Sequence, residues 1–329
     1  MKRVAILRDL FWIFLFPLSV LWAGFTHIRR KFVRPIYQPL IPVLCIGNIH
    51  SGGSGKTPLV AAVAERFPGV AILSRGYRGR SESGGSWVNK ESLDGPREFG
   101  DEPWMLSQLT GSPVLVGKDR VRSVQEVEKN SKFVGAILDD GFQHLRLGRK
   151  LDLIAIDVER KLEDAYCLPL GELREPLSAL GRAGGVVLTG VENKEREIIW
   201  RGFLSSRFPR VPVFSGKLSL KNWSLDPSTS VFGFCGIAGP NRFQNLLESH
   251  ACVKGFRSFS DHHVYGQDDL EGILSAARSL QAVCVTTDKD YFKLRGRFEE
   301  RGESLLSLRI GYELSEDFWY FLKNRWISK

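Results

Sequence analysis

Cysteine is scarce and unpaired in this 329-residue sequence: Cys45, Cys167, Cys235, Cys252 and Cys284 form no Cys-x-x-Cys pair and are odd in number. That pattern argues against a disulfide framework and a structural zinc site, and predicts mostly buried, reduced thiols. There is no internal repeat and no low-complexity tract. Apolar residues make up 43% and charged residues 25%, which excludes a mostly disordered chain, a collagen, a coiled-coil rod and a polytopic membrane protein. Acidic residues are in deficit, leaving a formal net charge of +9. A basic surface favours an anionic partner, whether nucleic acid, a phosphorylated substrate or an acidic membrane face. No basic stripe with interleaved aromatics is present, so no nucleic-acid partner is expected.

Charge is also missing from Leu10 to Ile28, where Phe11, Trp12, Ile13, Phe14, Leu15, Phe16, Val20, Leu21 and Trp22 crowd together. Lys2, Arg3 and Arg8 precede the run, and Arg29, Arg30, Lys31 and Arg34 follow it. A cleaved signal peptide lacks its Ala-x-Ala site here. A membrane-spanning helix needs about 20 apolar residues, and this run contains Pro17, Ser19, Gly24 and Thr26. Spanning would also place a basic end outside. A helix lying in the interface fits better, with aromatics among the headgroups and the flanking cations on anionic lipid. A buried core helix is the remaining alternative.

Beyond it, short β-branched runs alternate with longer amphipathic stretches, the mark of parallel βαβ units. Strands are predicted at 43–47, 70–73, 113–116, 135–138, 151–156 and 185–188, with helices at 57–65, 101–109 and 120–129. The rhythm breaks around 212–223. Strands restart at 231–235 and 282–286, with helices at 241–249 and 267–280, then a strand at 304–314 and a terminal helix at 315–327. Residues 81–97, rich in Ser, Gly and charge, are expected to form a mobile loop. The fold class is therefore α/β, a doubly wound, mostly parallel sheet with a second, smaller α/β domain. The expected division is 1–224 and 225–329.

The apolar strand 43–47 runs into Asn48–Ile49–His50–Ser51–Gly52–Gly53–Ser54–Gly55–Lys56–Thr57, with a helical pattern behind it. Strand, glycine-rich loop ending in Gly-Lys-Thr, then helix is the context that a P-loop requires. Gly52, Gly53, Ser54 and Gly55 turn backbone N–H groups toward phosphate oxygens at a helix N-terminus. Lys56 reaches the β- and γ-phosphates of ATP, and Thr57 offers a hydroxyl to Mg²⁺. His50 stands where the first glycine of the usual pattern would fall. A second apolar strand, 135–138, ends in Asp139–Asp140, the pattern that brings a carboxylate beside the same Mg²⁺. Gln143 and His144 add two polar groups at that rim. For Asp101, the residues alone admit a helix N-terminal role as readily as a chemical one. Asp288–Lys289–Asp290 reads as a turn or as a contact to the nucleotide base. Arg75, Arg78, Lys118 and Arg120 follow strand ends, where open α/β sheets bind ligands.

Several motifs spread along the chain resemble those of the tetraacyldisaccharide 4'-kinases of lipid A biosynthesis. They are GGSGKTP at 52–58, LSRGY at 73–77, GDEP at 100–103, VGKDR at 116–120, LDDGFQHLR at 138–146, LPLGELREP at 168–176, DHH at 261–263 and TTDKD at 286–290. The sequence departs from the family pattern at 81–97 and at Gly171–Glu172. The resemblance implies transfer of the γ-phosphoryl of ATP to the 4'-hydroxyl of an anionic, acylated disaccharide 1-phosphate. It implies Mg²⁺ as cofactor and a monomer on the cytoplasmic face of the inner membrane. It further implies Asp101 as catalytic base with His262 as its partner, Arg174 as a phosphate ligand and Glu175 as a metal-side carboxylate. The rival reading is a membrane-associated P-loop NTPase switch. A GTPase would carry Asn-Lys-x-Asp, and Tyr291 stands where that final Asp belongs.

Overall fold

The computed structural model describes residues 2–328 except Ser54, Leu93 and Asn222, with side chains from Ile13 onward. The helices are α1 (Lys2–Phe32), α2 (Lys56–Arg66), α3 (Gly95–Phe99), α4 (Asp101–Thr110), α5 (Arg120–Glu128), α6 (Lys194–Arg207), α7 (Pro240–Glu248), α8 (Gln267–Ser279), α9 (Asp288–Glu299) and α10 (Glu316–Leu322). The strands are β1 (Val43–Gly47), β2 (Val70–Ser74), β3 (Ser86–Trp87), β4 (Val114–Val116), β5 (Gly135–Asp139), β6 (Leu151–Asp157), β7 (Gly185–Thr189), β8 (Val213–Ser215), β9 (Lys217–Lys221), β10 (Ser230–Cys235), β11 (Cys252–Ser258), β12 (Val283–Thr287) and β13 (Leu305–Glu313).

Eight strands form one sheet in the order β3-β4-β2-β5-β1-β6-β7-β8, parallel except for the short edge strand β3. Its central strands are buried on both faces, which is why they read as unbroken apolar runs. Along β1 the pleat sends Val43 and Cys45 to one core and Leu44 and Ile46 to the other. The first core is closed by α5 and α6, including the fully buried Trp200, and the second by α2 and α10. The second sheet runs β11-β10-β12-β13-β9, with only β9 antiparallel to its neighbour. Cores on its two faces form around Phe234 and Phe298, and around Phe243 and Leu247.

Three expectations need correction, and the run 288–290 gains a defined local structure. Residues 81–97 are structured: a 3₁₀ turn at 80–82, β3, and the start of α3. Trp87 stacks on Phe133 at 5.5 Å, and Gly95 lies so close under Trp104 that a Cβ there would fall 2.2 Å from its ring. The run 288–290 is the first turn of α9, because the Thr287 hydroxyl accepts from the Asp290 N–H and caps the helix. The break at 212–223 holds two strands of different sheets. The chain leaves the first sheet after β8, and β9 already pairs with β13, so the crossing lies at Gly216, ahead of 224. The final helix returns to the first sheet, since Phe318, Leu322 and Trp326 bury against it.

The cysteines are unpaired; all are buried except the half-buried Cys252. Truncating Trp326, which is fully buried and donates from Nε1 to the Pro42 carbonyl at 3.0 Å, removes both packing and a hydrogen bond that ties the chain's end to β1. Trp326→Ala is expected to cost about 3–5 kcal/mol, as read by urea denaturation.

Candidate active site

The loop after β1 is shaped by close backbone approaches. Gly47 lies against the backbone of Phe142, and a Cβ there would fall 2.7 Å from the Phe142 Cβ. Gly55 has φ +70°, and a Cβ on it would meet the Tyr312 hydroxyl at 2.0 Å. Only glycine satisfies both demands. The loop is also strapped from outside. Ser51 N–H donates to the Glu172 carbonyl at 2.7 Å, and Arg174 N–H to the Ile49 carbonyl at 2.7 Å. Arg160 donates to the Gly53 carbonyl at 3.3 Å and pairs with Glu172. His50 is buried with an edge-on contact to Trp200, and burial beside Arg160 and Lys56 lowers its imidazole to about 4, so it is neutral at physiological pH. Ser54 lies outside the described residues.

The register of β1 on β5 places Ile46 opposite Asp139, so the acidic strand end lies beside the loop. Lys56 Nζ approaches Asp140 Oδ1 at 3.2 Å, and Arg174 Nη1 donates to Asp140 Oδ2 at 2.9 Å. Burial would raise the Asp140 carboxyl, but these two cations hold it below its ordinary value. Asp139 accepts from the Ser74 hydroxyl at 3.1 Å. Burial, with Glu102 and Asp140 nearby, pushes the Asp139 carboxyl well above the ordinary range. Asp140 has φ +51°, a left-handed conformation that turns the chain sharply after the strand.

Gln143 Nε2 donates to the Asn48 carbonyl at 2.9 Å and so braces the loop. His144 is half-buried, and burial with Arg120 and Arg149 nearby lowers its imidazole to about 4. Glu175 needs a correction. Both its oxygens accept from Arg182 at 2.8 Å, and the same guanidinium donates to the Phe142 carbonyl and covers the Phe142 ring. The glutamate therefore braces the segment after Asp140 and does not join Asp139 and Asp140. Of the arginines after strand ends, Arg75 pairs with Glu82 at 2.6 Å, Arg78 stands over the Tyr77 ring, and the buried Arg120 donates to the Gly117 carbonyl.

The second cluster joins the two sheets. Gly100, with φ +91°, stands at the N-cap of α4, so Asp101 is the helix's first residue and not its cap. Its carboxylate instead crosses to the other unit, where His262 Nδ1 donates to Oδ2 at 2.9 Å. The contact spans 161 positions of sequence. Lys293 Nζ lies 2.5 Å from the same Oδ2. Burial would raise the Asp101 carboxyl, but the His262 hydrogen bond and the Lys293 ammonium hold it below its ordinary value. His262 has φ +60°, and its ring meets Tyr77 edge-on. Lys289 pairs with Asp261 at 2.7 Å. The helix α4, which begins at Asp101, packs against α2, which begins at Lys56.

Sequence reasoning missed Lys293, and it gave Ser74, inside the LSRGY motif, no partner and Lys289 only a turn or a base contact. Read as a helix from 288, the segment would have put Lys289 and Lys293 on one face, four residues apart. A cleft of about 480 Å³ adjoins the site between α2 and β13, lined by Thr57, Pro58, Met105, Lys289, Tyr312 and Trp319 among others. None of Asp101, Asp139 or Asp140 lines it.

Comparison with known proteins finds matches along nearly the whole chain. The family model of tetraacyldisaccharide-1-P 4'-kinases matches residues 11–326. A tetraacyldisaccharide 4'-kinase of Desulfotalea psychrophila is 36% identical, with the alignment covering 97% of this chain and 96% of the relative. One of Dechloromonas aromatica is 35% identical over 86% of this chain and 84% of the relative. The crystal structure of LpxK from Aquifex aeolicus, in complex with ATP, is similar with a TM-score of 0.73 at 26% identity, covering 98% of both chains. A P-loop faced by paired aspartates, an aspartate–histidine contact between two sheets, and a match along nearly the whole chain place this protein in the tetraacyldisaccharide 4'-kinase family.

Proposed function

We propose that this protein transfers the γ-phosphoryl group of ATP to the 4'-hydroxyl of tetraacyldisaccharide 1-phosphate, with Asp101 as the base. The observation that carries the reading is the 2.9 Å contact from His262 to Asp101, which brings a fixed, ionised carboxylate to the P-loop side of the seam between the sheets. The acceptor oxygen forms a bond to the γ-phosphorus as the bond to the β,γ-bridging oxygen breaks, and its electron pair leaves with ADP. The hydroxyl proton passes to Asp101 and then to solvent. His262 orients the base through Oδ2. Lys56, drawn off Asp140, meets the γ-phosphate, while the N–H groups of the loop around Gly52, Gly53 and Gly55 face the remaining phosphate oxygens. Arg174 is poised on Asp140 to reach an anionic oxygen.

The donors present suit Mg²⁺. Thr57 offers a hydroxyl, and Asp139 and Asp140 crowd two carboxylates whose mutual repulsion a divalent cation relieves. Asp140 Oδ1 is buried and makes no hydrogen bond among the described residues, although Lys56 stands near it. Among those residues no group of three or more His, Cys, Asp or Glu could hold a metal by itself. Mg²⁺ commonly takes one or two carboxylates together with substrate phosphates. Bound there by Thr57, Asp139 and Asp140, it would neutralise charge on the β- and γ-phosphate oxygens.

We also infer that α1 rests on the cytoplasmic face of an anionic membrane. No helix among the described residues is long and apolar enough to cross one. Yet Ile13, Phe14, Leu21 and Phe25 are each more than half exposed, with Arg29, Arg30 and Lys31 in the last turn. The inner side of the helix is docked, since Ser19 donates to the Cys167 carbonyl and Trp22 to the Arg174 carbonyl. A lipid acceptor held at that surface would reach the seam without leaving the membrane.

The test is transfer of label from γ-labelled ATP to tetraacyldisaccharide 1-phosphate in detergent micelles. Label in the lipid is the expected result; intact ATP binding with no transfer would return the assignment to an NTPase switch. Lys56→Ala is expected to abolish transfer, and activity near wild type would sink the P-loop role. Asp101→Ala should lower kcat by about 10²–10⁴-fold. A raised KM with unchanged kcat would instead make Asp101 a binding residue. Replacing Phe14, Leu21 and Phe25 with Ser should release the protein from anionic vesicles in a flotation assay and leave ATP affinity unchanged.

A further inference from the structure

Asp101 carries more than its histidine. Lys293, on the second turn of α9, brings its ammonium to within 2.5 Å of Asp101 Oδ2, the oxygen that His262 already occupies. The lysine side chain is largely buried, with 11% of its surface exposed. It also lies 3.5 Å from the carbonyl of His263, so one ammonium touches both the carboxylate of the first unit and the loop that presents His262. Lys293 is 3.9 Å from Asp290, but Asp290 has other partners: its Oδ2 accepts from the Gly236 N–H at 2.8 Å and from the Thr287 hydroxyl at 2.9 Å. The nearer, shorter contact is to Asp101.

A general base needs one oxygen held and the other free to take a proton. Here both named donors converge on Oδ2, which leaves Oδ1 for the acceptor. An ammonium is a compact point charge with three donors, able to hold a carboxylate and a carbonyl together. We propose that Lys293 is a positioning residue for phosphoryl transfer, fastening Oδ2 of Asp101 to the His262 loop so that Oδ1 faces the acceptor hydroxyl. This rests on the reading of Asp101 as the base. His262 bears on that carboxylate through its hydrogen bond and Lys293 and Lys289 through their charge, while Asp261 and Asp290 pair with the two lysines.

Two consequences separate this role from a structural one. Loss of the ammonium removes a nearby positive charge, so Asp101 takes up its proton at higher pH. The acidic limb of kcat then moves up in pH, by about one pH unit. Misaligned Oδ1 also lowers kcat at the plateau, by up to about 10²-fold, with KM for ATP unchanged.

The experiment compares wild type, Lys293→Met, Lys293→Gln and Lys293→Arg, each checked for a cooperative thermal transition. Two readouts are taken: the pH profile of kcat, and the pH titration of the Asp101 carboxyl ¹³C signal, assigned with Asp101→Asn. The proposal expects the limb and the carboxyl midpoint to rise together in the Met and Gln variants, and the Arg variant to keep both near wild type. A fall in kcat that is equal at every pH, with the carboxyl midpoint unmoved, would make Lys293 a counter-ion for Asp290 and overturn it. The carboxyl titration needs no lipid. If wild type fails to phosphorylate the disaccharide, the functional reading falls, and an unmoved midpoint would still reject Lys293 on its own account.

Discussion

The ion pair between Lys56 and Asp140 organises the phosphate end of the molecule. Two helix-forming and strand-ending segments must arrive together for it to exist: α2 directly after the glycine-rich loop, and β5 in register with β1. The glycine at 47 lets the Phe142 backbone come close, and the left-handed residue at 140 turns the carboxylate inward. Arg174 then shares that carboxylate, which anchors the strap from 166 to 176 against the loop. Two cations around one carboxylate form a group ready to be rearranged by incoming phosphates. The negative partner holds the lysine near its working position while the site is open.

Much of this was legible in the sequence, for identifiable reasons. The central strands are buried on both faces, so their apolar runs stood out, and the loop between β1 and α2 carries its own signature. The acidic end of β5 was readable because a carboxylate pair after an apolar strand is unusual. The strands β3, β8, β9 and β11 were hidden: none is buried along its length, so no apolar run marks them. The helix α6 escaped notice although Asn193 caps it, because its exposed face is rich in charge and carries Ile198 and Ile199. Residues 81–97 misled by composition, since the order there comes from Trp87 and Trp104, single aromatics that anchor polar surroundings.

The site divided the same way. Loop and strand-end residues announce themselves by local spacing. The pairing of Asp101 with His262 was implied only by resemblance, and Lys293 was invisible, because both depend on how the two sheets face one another. Glu175 shows the converse. Its position beside Arg174 suggested a metal, but the partner that decides its role is Arg182, seven residues on, whose guanidinium finds Glu175 and the Phe142 carbonyl together. A carboxylate in a buried bidentate pair is spoken for.

The chain passes into the smaller sheet at Lys217 and out of it at Glu313, and these two residues are paired neighbours on β9 and β13. The smaller sheet is thus a cassette set into the larger unit through a single two-stranded ribbon, not a separate body on a flexible leash. That ribbon is held against the larger unit, since Tyr312 of β13 packs into its core and Arg309 pairs with Glu65 of α2. Asp101 stands on the larger unit and His262 on the cassette, so a partnership across 161 positions of sequence is set by how that one ribbon is seated.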